Sequence, residues 1–128
     1  MTEPRSAADQ VHADANEELV SEWLTLPEAA ELLGVSPNRI RQLVTDRQLI
    51  AVRRGENNAL MVPADFVQDG RVLKGLPGVL TLLKDARYAD DEALRWLYTD
   101  DDIPGSPVQA LVENRGTEVK RRAQALGF

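Results

Sequence analysis

The chain contains no cysteine and a single histidine, His12. Without cysteine there is no disulfide scaffold, no thiolate-ligated zinc finger and no thiol nucleophile. With one histidine there is neither a His-pair metal site nor a Ser-His-Asp triad. Aromatic residues are only 5% of the chain, and nothing interleaves Trp23, Trp96 and Tyr98 with basic residues. They read as core anchors rather than as a platform on which single-stranded bases stack. No apolar run approaches the roughly 18–20 residues that span a bilayer. The N-terminus from Met1 to Glu18 is acidic and lacks a hydrophobic h-region, so it does not read as a signal peptide. No nucleophile–base pair and no phosphate-cradling glycine loop is present. These absences point to a cytoplasmic protein that is not an enzyme and uses no cofactor and no metal.

What remains is ordinary globular material. The 128 residues are 43% hydrophobic and 28% charged, enough for one compact domain or two very small ones. The net charge of −6 argues against a generally basic surface that coats polyanions. The charge is segregated, however. Residues 1–24 carry six acids and one base, and residues 76–114 carry eight acids and three bases. Between them, residues 25–75 balance six acids against seven bases, and residues 115–128 hold four bases and one acid. Within residues 36–54 the lone acid Asp46 faces Arg39, Arg41, Arg47, Arg53 and Arg54.

Residues 1–22 have few large apolar side chains and read as a flexible acidic tail, with a helical turn or two over 15–20. From Leu26 the period becomes helical. Leu26, Ala30 and Leu33 recur at i, i+4 and i+7, Ala29 and Leu32 widen the stripe, Pro27 suits a first turn, and Gly34 suits a left-handed stop. Ser36-Pro37 reads as the cap and first residue of a second helix over 37–46, with Ile40, Leu43 and Val44 buried. Two short helices around a glycine turn are a helix-turn-helix signature. After Asp46 the period changes. Residues 49–54 and 59–62 are β-rich runs separated by Gly55-Glu56-Asn57-Asn58, which predicts a hairpin, or wing. Residues 63–67 should form a short helical turn beneath it.

A boundary is expected at Lys74-Gly75-Leu76-Pro77-Gly78. Three or four helices should follow, with Val79, Leu80 and Leu83 on one stripe and Leu94, Leu97 and Tyr98 on another. Ser106-Pro107 should restart a helix burying Val108, Leu111 and Val112, and a final helix over 117–126 should bury Val119, Ala123 and Leu126. The expected fold is mainly α with a small β-hairpin wing: a tail over 1–22, a winged helix-turn-helix over 23–73, and a helical C-terminal domain over 74–128.

With one face of the second helix buried, its outward set is Asn38, Arg39, Arg41, Gln42 and Thr45. Arginine donates bidentately to guanine, and asparagine or glutamine pairs with adenine, so this face has base-reading chemistry. Arg47, Arg53 and Arg54 are placed to meet phosphate or the minor groove, as are Asn57 and Asn58 at the wing tip. Ser36 is a cap first, and its hydroxyl is within the same candidate set. The bland alternative is an arginine-bearing solvated helix beside a hairpin. Turn, cap, wing and clustered arginines coincide, so double-stranded DNA is the expected partner. The run Lys120-Arg121-Arg122 reads as cations complementing the dipole of a last helical turn. Asp90-Asp91-Glu92 and Asp100-Asp101-Asp102 read as solvated acids, because calcium loops need alternating ligands, a glycine and a distal glutamate.

The stretch Leu26-Pro27-Glu28-Ala29-Ala30-Glu31-Leu32-Leu33-Gly34-Val35-Ser36-Pro37, followed by Ile40 and Leu43, resembles the excisionase and MerR-type helix-turn-helix. Further motifs extend the likeness: residues 49–54, Leu73-Lys74-Gly75-Leu76-Pro77-Gly78, Arg95-Trp96-Leu97-Tyr98 and residues 119–125. Together they resemble the actinobacterial winged helix-turn-helix DNA-binding protein family, whose mycobacterial member is a Ser/Thr protein kinase substrate. The resemblance covers roughly residues 24–128. It implies a transcriptional regulator, a Ser/Thr kinase as a second partner, and phosphorylation of the N-terminal tail that weakens DNA binding. Thr2, Ser6 and Ser21 are the tail hydroxyls available, and none aligns with a family motif. A homodimer would extend the short site that one helix-turn-helix reads. Residues 74–128 also resemble the toxin-binding domain of some antitoxins, in the Pro-Gly start, the acidic turn before Trp-Leu and the Ser-Pro restart. That leaves a protein-interaction module acting through the C-terminal domain as the alternative reading.

Overall fold

The computed structural model describes residues 19–99 and 105–127. Thr2, Ser6, His12, most of the helical turn expected over 15–20, and the acidic run Asp100-Asp101-Asp102 lie outside the described residues.

Among the described residues the first strand is β1 (Trp23–Thr25), and Thr25 is also the cap of helix α1 (Leu26–Leu33). The Thr25 hydroxyl accepts from the Glu28 amide at 3.2 Å, while the Glu28 carboxylate accepts from the Thr25 amide at 2.8 Å. This reciprocal box satisfies two amides that the first turn leaves orphaned. Pro27 sits in that turn, where a missing N–H costs nothing. Gly34 ends the helix at φ 70°, with the Val35 amide donating to the Ala30 carbonyl and the Gly34 amide to Glu31. Ala29 and Ala30 are buried, but Leu32 is 54% exposed, on the solvent side of the stripe it was expected to widen.

Helix α2 (Pro37–Thr45) follows after two residues and a capping serine. Ser36 Oγ accepts from the Arg39 amide at 3.2 Å. Ile40 and Leu43 are buried against α1, and Val44 is half-buried at the margin. The helix ends like α1: the Gln48 amide donates to the Leu43 carbonyl and the Arg47 amide to Val44. Here the left-handed residue is Arg47, at φ 61°.

The wing is β2 (Val52–Arg54) and β3 (Ala59–Pro63), antiparallel, with Arg53 opposite Leu60. The strand β2 is shorter than the β-rich run suggested, because Leu49 and Ile50 are buried in irregular chain that enters the core. The sheet has a third strand: β1 pairs with β3, giving the order β1-β3-β2. The expected helical turn is a 3₁₀ turn at Ala64–Phe66, with Phe66 fully buried. A second small hairpin, β4 (Val67–Gln68) and β5 (Arg71–Val72), turns at Asp69-Gly70, both at positive φ.

Four helices complete the described chain: α3 (Leu76–Asp85), α4 (Asp90–Thr99), α5 (Pro107–Val112) and α6 (Gly116–Ala125). Asp90, Asp91 and Glu92 occupy the first turn of α4, where acids complement the helix dipole. Val108 and Leu111 point inward, while Val112 is exposed. Lys120 and Arg121 fall in the body of α6 rather than its last turn, which holds only Arg122. The buried side chains form one continuous core running from Val20 through Ile40, Phe66 and Leu73 to Leu97 and Val119. Val20 is only 2% exposed, so packed chain starts inside the segment read as tail. The fold is mainly α with a β wing, a winged helix-turn-helix followed by helices, as the sequence led one to expect. Among the described residues no helix is long and apolar enough to cross a membrane.

Candidate nucleic-acid interface

At about 100° per residue, Asn38, Arg41, Gln42 and Thr45 share one side of α2, opposite Ile40 and Leu43, with Arg39 at the flank. All five are exposed. The wing arginines diverge. Strand alternation puts Arg53 on the face shared with Leu60 and Arg54 on the other, with Trp23. The Arg54 guanidinium lies 4.5 Å from the centre of the Trp23 ring, a cation–π stack between outer strands. Trp23 is thus half-buried beneath a cation rather than central to the core.

Arg53 turns toward α2. Its guanidinium donates to the Asn58 carbonyl at 3.0 Å, which ties it to the wing turn and leaves its other donors outward. An open groove of about 310 Å³ between helix and wing is lined by Arg41, Arg53, Asn57 and Asn58, with Thr25 and Pro27 of the strand–helix junction along one side. Four of the ten expected residues therefore share one concave surface. Asn38, Arg39 and Gln42 are exposed on α2 but do not line it, and Gln42 donates to the Asp46 carboxylate at 3.3 Å. Ser36 is exposed and holds its capping bond.

Arg47 is placed differently. Its guanidinium donates to Asp90 Oδ1 at 2.6 Å, joining the end of α2 to the start of α4, with side chains 39% and 51% exposed. Nothing local in the sequence signals a partner 43 residues away. A second such tie joins the Tyr98 hydroxyl to Asp65 Oδ2 at 2.8 Å. Burial first, then the hydrogen bond and the charge of Asp65, hold the Tyr98 hydroxyl well above the usual tyrosine pKa. Among the described residues no group of three His, Asp or Glu side chains is arranged to hold a metal ion.

Two family models match the chain. One, described as DNA-binding protein Rv2175c, wHTH domain, matches residues 11–67, and the other, described as Rv2175c C-terminal domain of unknown function, matches residues 73–127. The chain is 40% identical over 117 residues to the DNA-binding protein Rv2175c of Mycobacterium tuberculosis, covering 80% of this chain and 79% of that protein. The fold matches the NMR structure of Rv2175c with a TM-score of 0.71 and 37% identity, over 84% of this chain and 82% of that one. The chain belongs to the family of the DNA-binding protein Rv2175c, with both its winged helix-turn-helix domain and its C-terminal domain of unknown function.

Proposed function

We propose that this protein binds double-stranded DNA as a transcriptional regulator, with α2 in the major groove and the β2–β3 wing against neighbouring backbone. The observation that carries this reading is the groove in which Arg41, Arg53, Asn57 and Asn58 converge beside the exposed face of α2. Convergence of bidentate donors on one concave surface is what reading base edges and phosphates together requires. The net acidic charge of the chain should keep its non-specific affinity for polyanions modest.

Five to seven phosphate contacts would make affinity fall by roughly 10²–10⁴ between 50 and 200 mM salt. Fluorescence anisotropy of a labelled mixed-sequence duplex at those two salt concentrations tests this. Arg39→Ala and Arg53→Ala are each expected to weaken binding by about 1–3 kcal/mol, with the fold intact because both side chains are exposed. Unchanged affinity in both would remove α2 and the wing as the docking face. Regulation by a Ser/Thr kinase is a further part of the reading. Ser21 is exposed, and a phosphate there adds about −1.5 to −2 charges to an already acidic segment. Intact-mass analysis of protein from the source cell should show a phosphorylated form; a single unmodified mass counts against it.

A further inference from the structure

We infer that α4 is a strut that holds α2 and the wing at a fixed relative position, with Arg47, Asp90, Asp65 and Tyr98 as positioning residues. This rests on the DNA-binding reading above and gives the C-terminal helices a part in it. The two polar ties described above both land on α4, at opposite ends. Asp90 in its first turn holds Arg47, at the end of α2. Tyr98 near its last turn holds Asp65, in the 3₁₀ turn that leaves β3. The two attachment points are eight residues apart, about 12 Å along the helix at its usual rise. One rigid element thus meets the reading helix at one end and the base of the wing at the other. A duplex offers major groove and backbone at a fixed spacing, so a protein that touches both gains from having that spacing set beforehand.

The alternative role for Arg47 is direct contact with phosphate, and the two roles make opposite predictions. Losing Arg47 removes a positive charge, and Asp90→Asn removes a negative one. If the pair positions α2, both changes weaken DNA binding. If Asp90 merely holds a phosphate-binding arginine back, Asp90→Asn tightens it. A shared loss cannot arise from bulk charge, because the two substitutions shift the net charge in opposite directions. Left-handed backbone does not by itself require the ion pair, since Arg87 takes φ 70° at the end of α3. Arg47→Gly therefore removes the side chain while keeping a backbone that glycine adopts freely.

The test is the same anisotropy titration for the wild type, Arg47→Gly, Asp90→Asn and the exchange Arg47→Asp with Asp90→Arg. Both single variants are expected to lose about two- to fivefold in affinity, the range of an exposed ion pair, with the salt slope unchanged. The exchanged pair should recover part of the loss. Tighter binding by Asp90→Asn, or a slope reduced by about 0.9 in Arg47→Gly, would overturn the inference by making Arg47 a phosphate contact. Unchanged affinity in both single variants would overturn it too. Amide hydrogen exchange over residues 43–48, without DNA, supplies an independent arm: Asp90→Asn should speed it, and unaltered exchange refutes the strut. A wild type that binds no duplex at 50 mM salt would sink the DNA-binding reading, and the exchange arm then decides the strut alone.

Discussion

At the scale of single residues, the helix-turn-helix depends on how two short helices are started and stopped. Helices of eight and nine residues are marginal on their own, so end groups matter. Thr25→Ala removes the hydroxyl half of the capping box and is expected to cost about 0.5–2 kcal/mol. Gly34→Ala tests the stop. A Cβ at Gly34 would meet no atom within 4 Å, so any cost comes from the left-handed backbone at φ 70° and not from a clash. That cost is about 1–2 kcal/mol, read as a lower urea midpoint with the slope unchanged. An unmoved midpoint would mean that the turn relaxes to another conformation. Ser36, Pro37 and Gly34 were all legible in the sequence because caps act on amides within a few residues. Arg47 was not. Its position beside an arginine-rich helix suggested phosphate, and only the fold brings Asp90 to it.

Among elements, the sheet and its neighbours show where local pattern stops informing. The wing announced itself through two β-rich runs and a Gly-Asn turn. The strand β1 did not, since three residues show no period, and its strand state comes from pairing with β3 nearly forty residues on. The β4–β5 hairpin did carry a signal, Asp69-Gly70, whose two positive φ values are what a type I′ turn demands. The contact between α4 and the 3₁₀ turn yields a pH prediction. The folded-state pKa of Tyr98 lies above its ordinary value near 10, so the neutral hydroxyl is the form that folding favours. Its contribution is fully present below about pH 10 and is lost as pH rises beyond it. Urea unfolding between pH 8 and 11 should show stability falling at the alkaline end, and Tyr98→Phe should flatten that fall. An equal decline in both proteins would mean that folding does not hold the Tyr98 hydroxyl neutral.

On the scale of the whole molecule, the sequence pointed to a boundary near residue 74, and separate family models match on either side of it. The buried side chains nonetheless form a single cluster that crosses it, with Phe66 and Leu73 on one side and Leu76, Leu97 and Val119 on the other. Helix periodicity shows which face of each helix is apolar but not which other face covers it, so this continuity was invisible beforehand. A shared core means that neither part can unfold while the other keeps its apolar surface from water, and a chain of this size should then melt in one step. The two tryptophans make this measurable, because Trp23 lies in the winged part and Trp96, 8% exposed, in α4. Trp96→Phe leaves fluorescence reporting on Trp23 alone, and Trp23→Phe leaves it on Trp96. Each variant has its own stability, so each is compared with far-UV circular dichroism of the same sample. Coincident fluorescence and dichroism midpoints in both variants are expected. Should the Trp23 signal complete its change while half the helical signal remains, the two parts fold independently, and the contacts between α4 and the wing contribute little to holding them together.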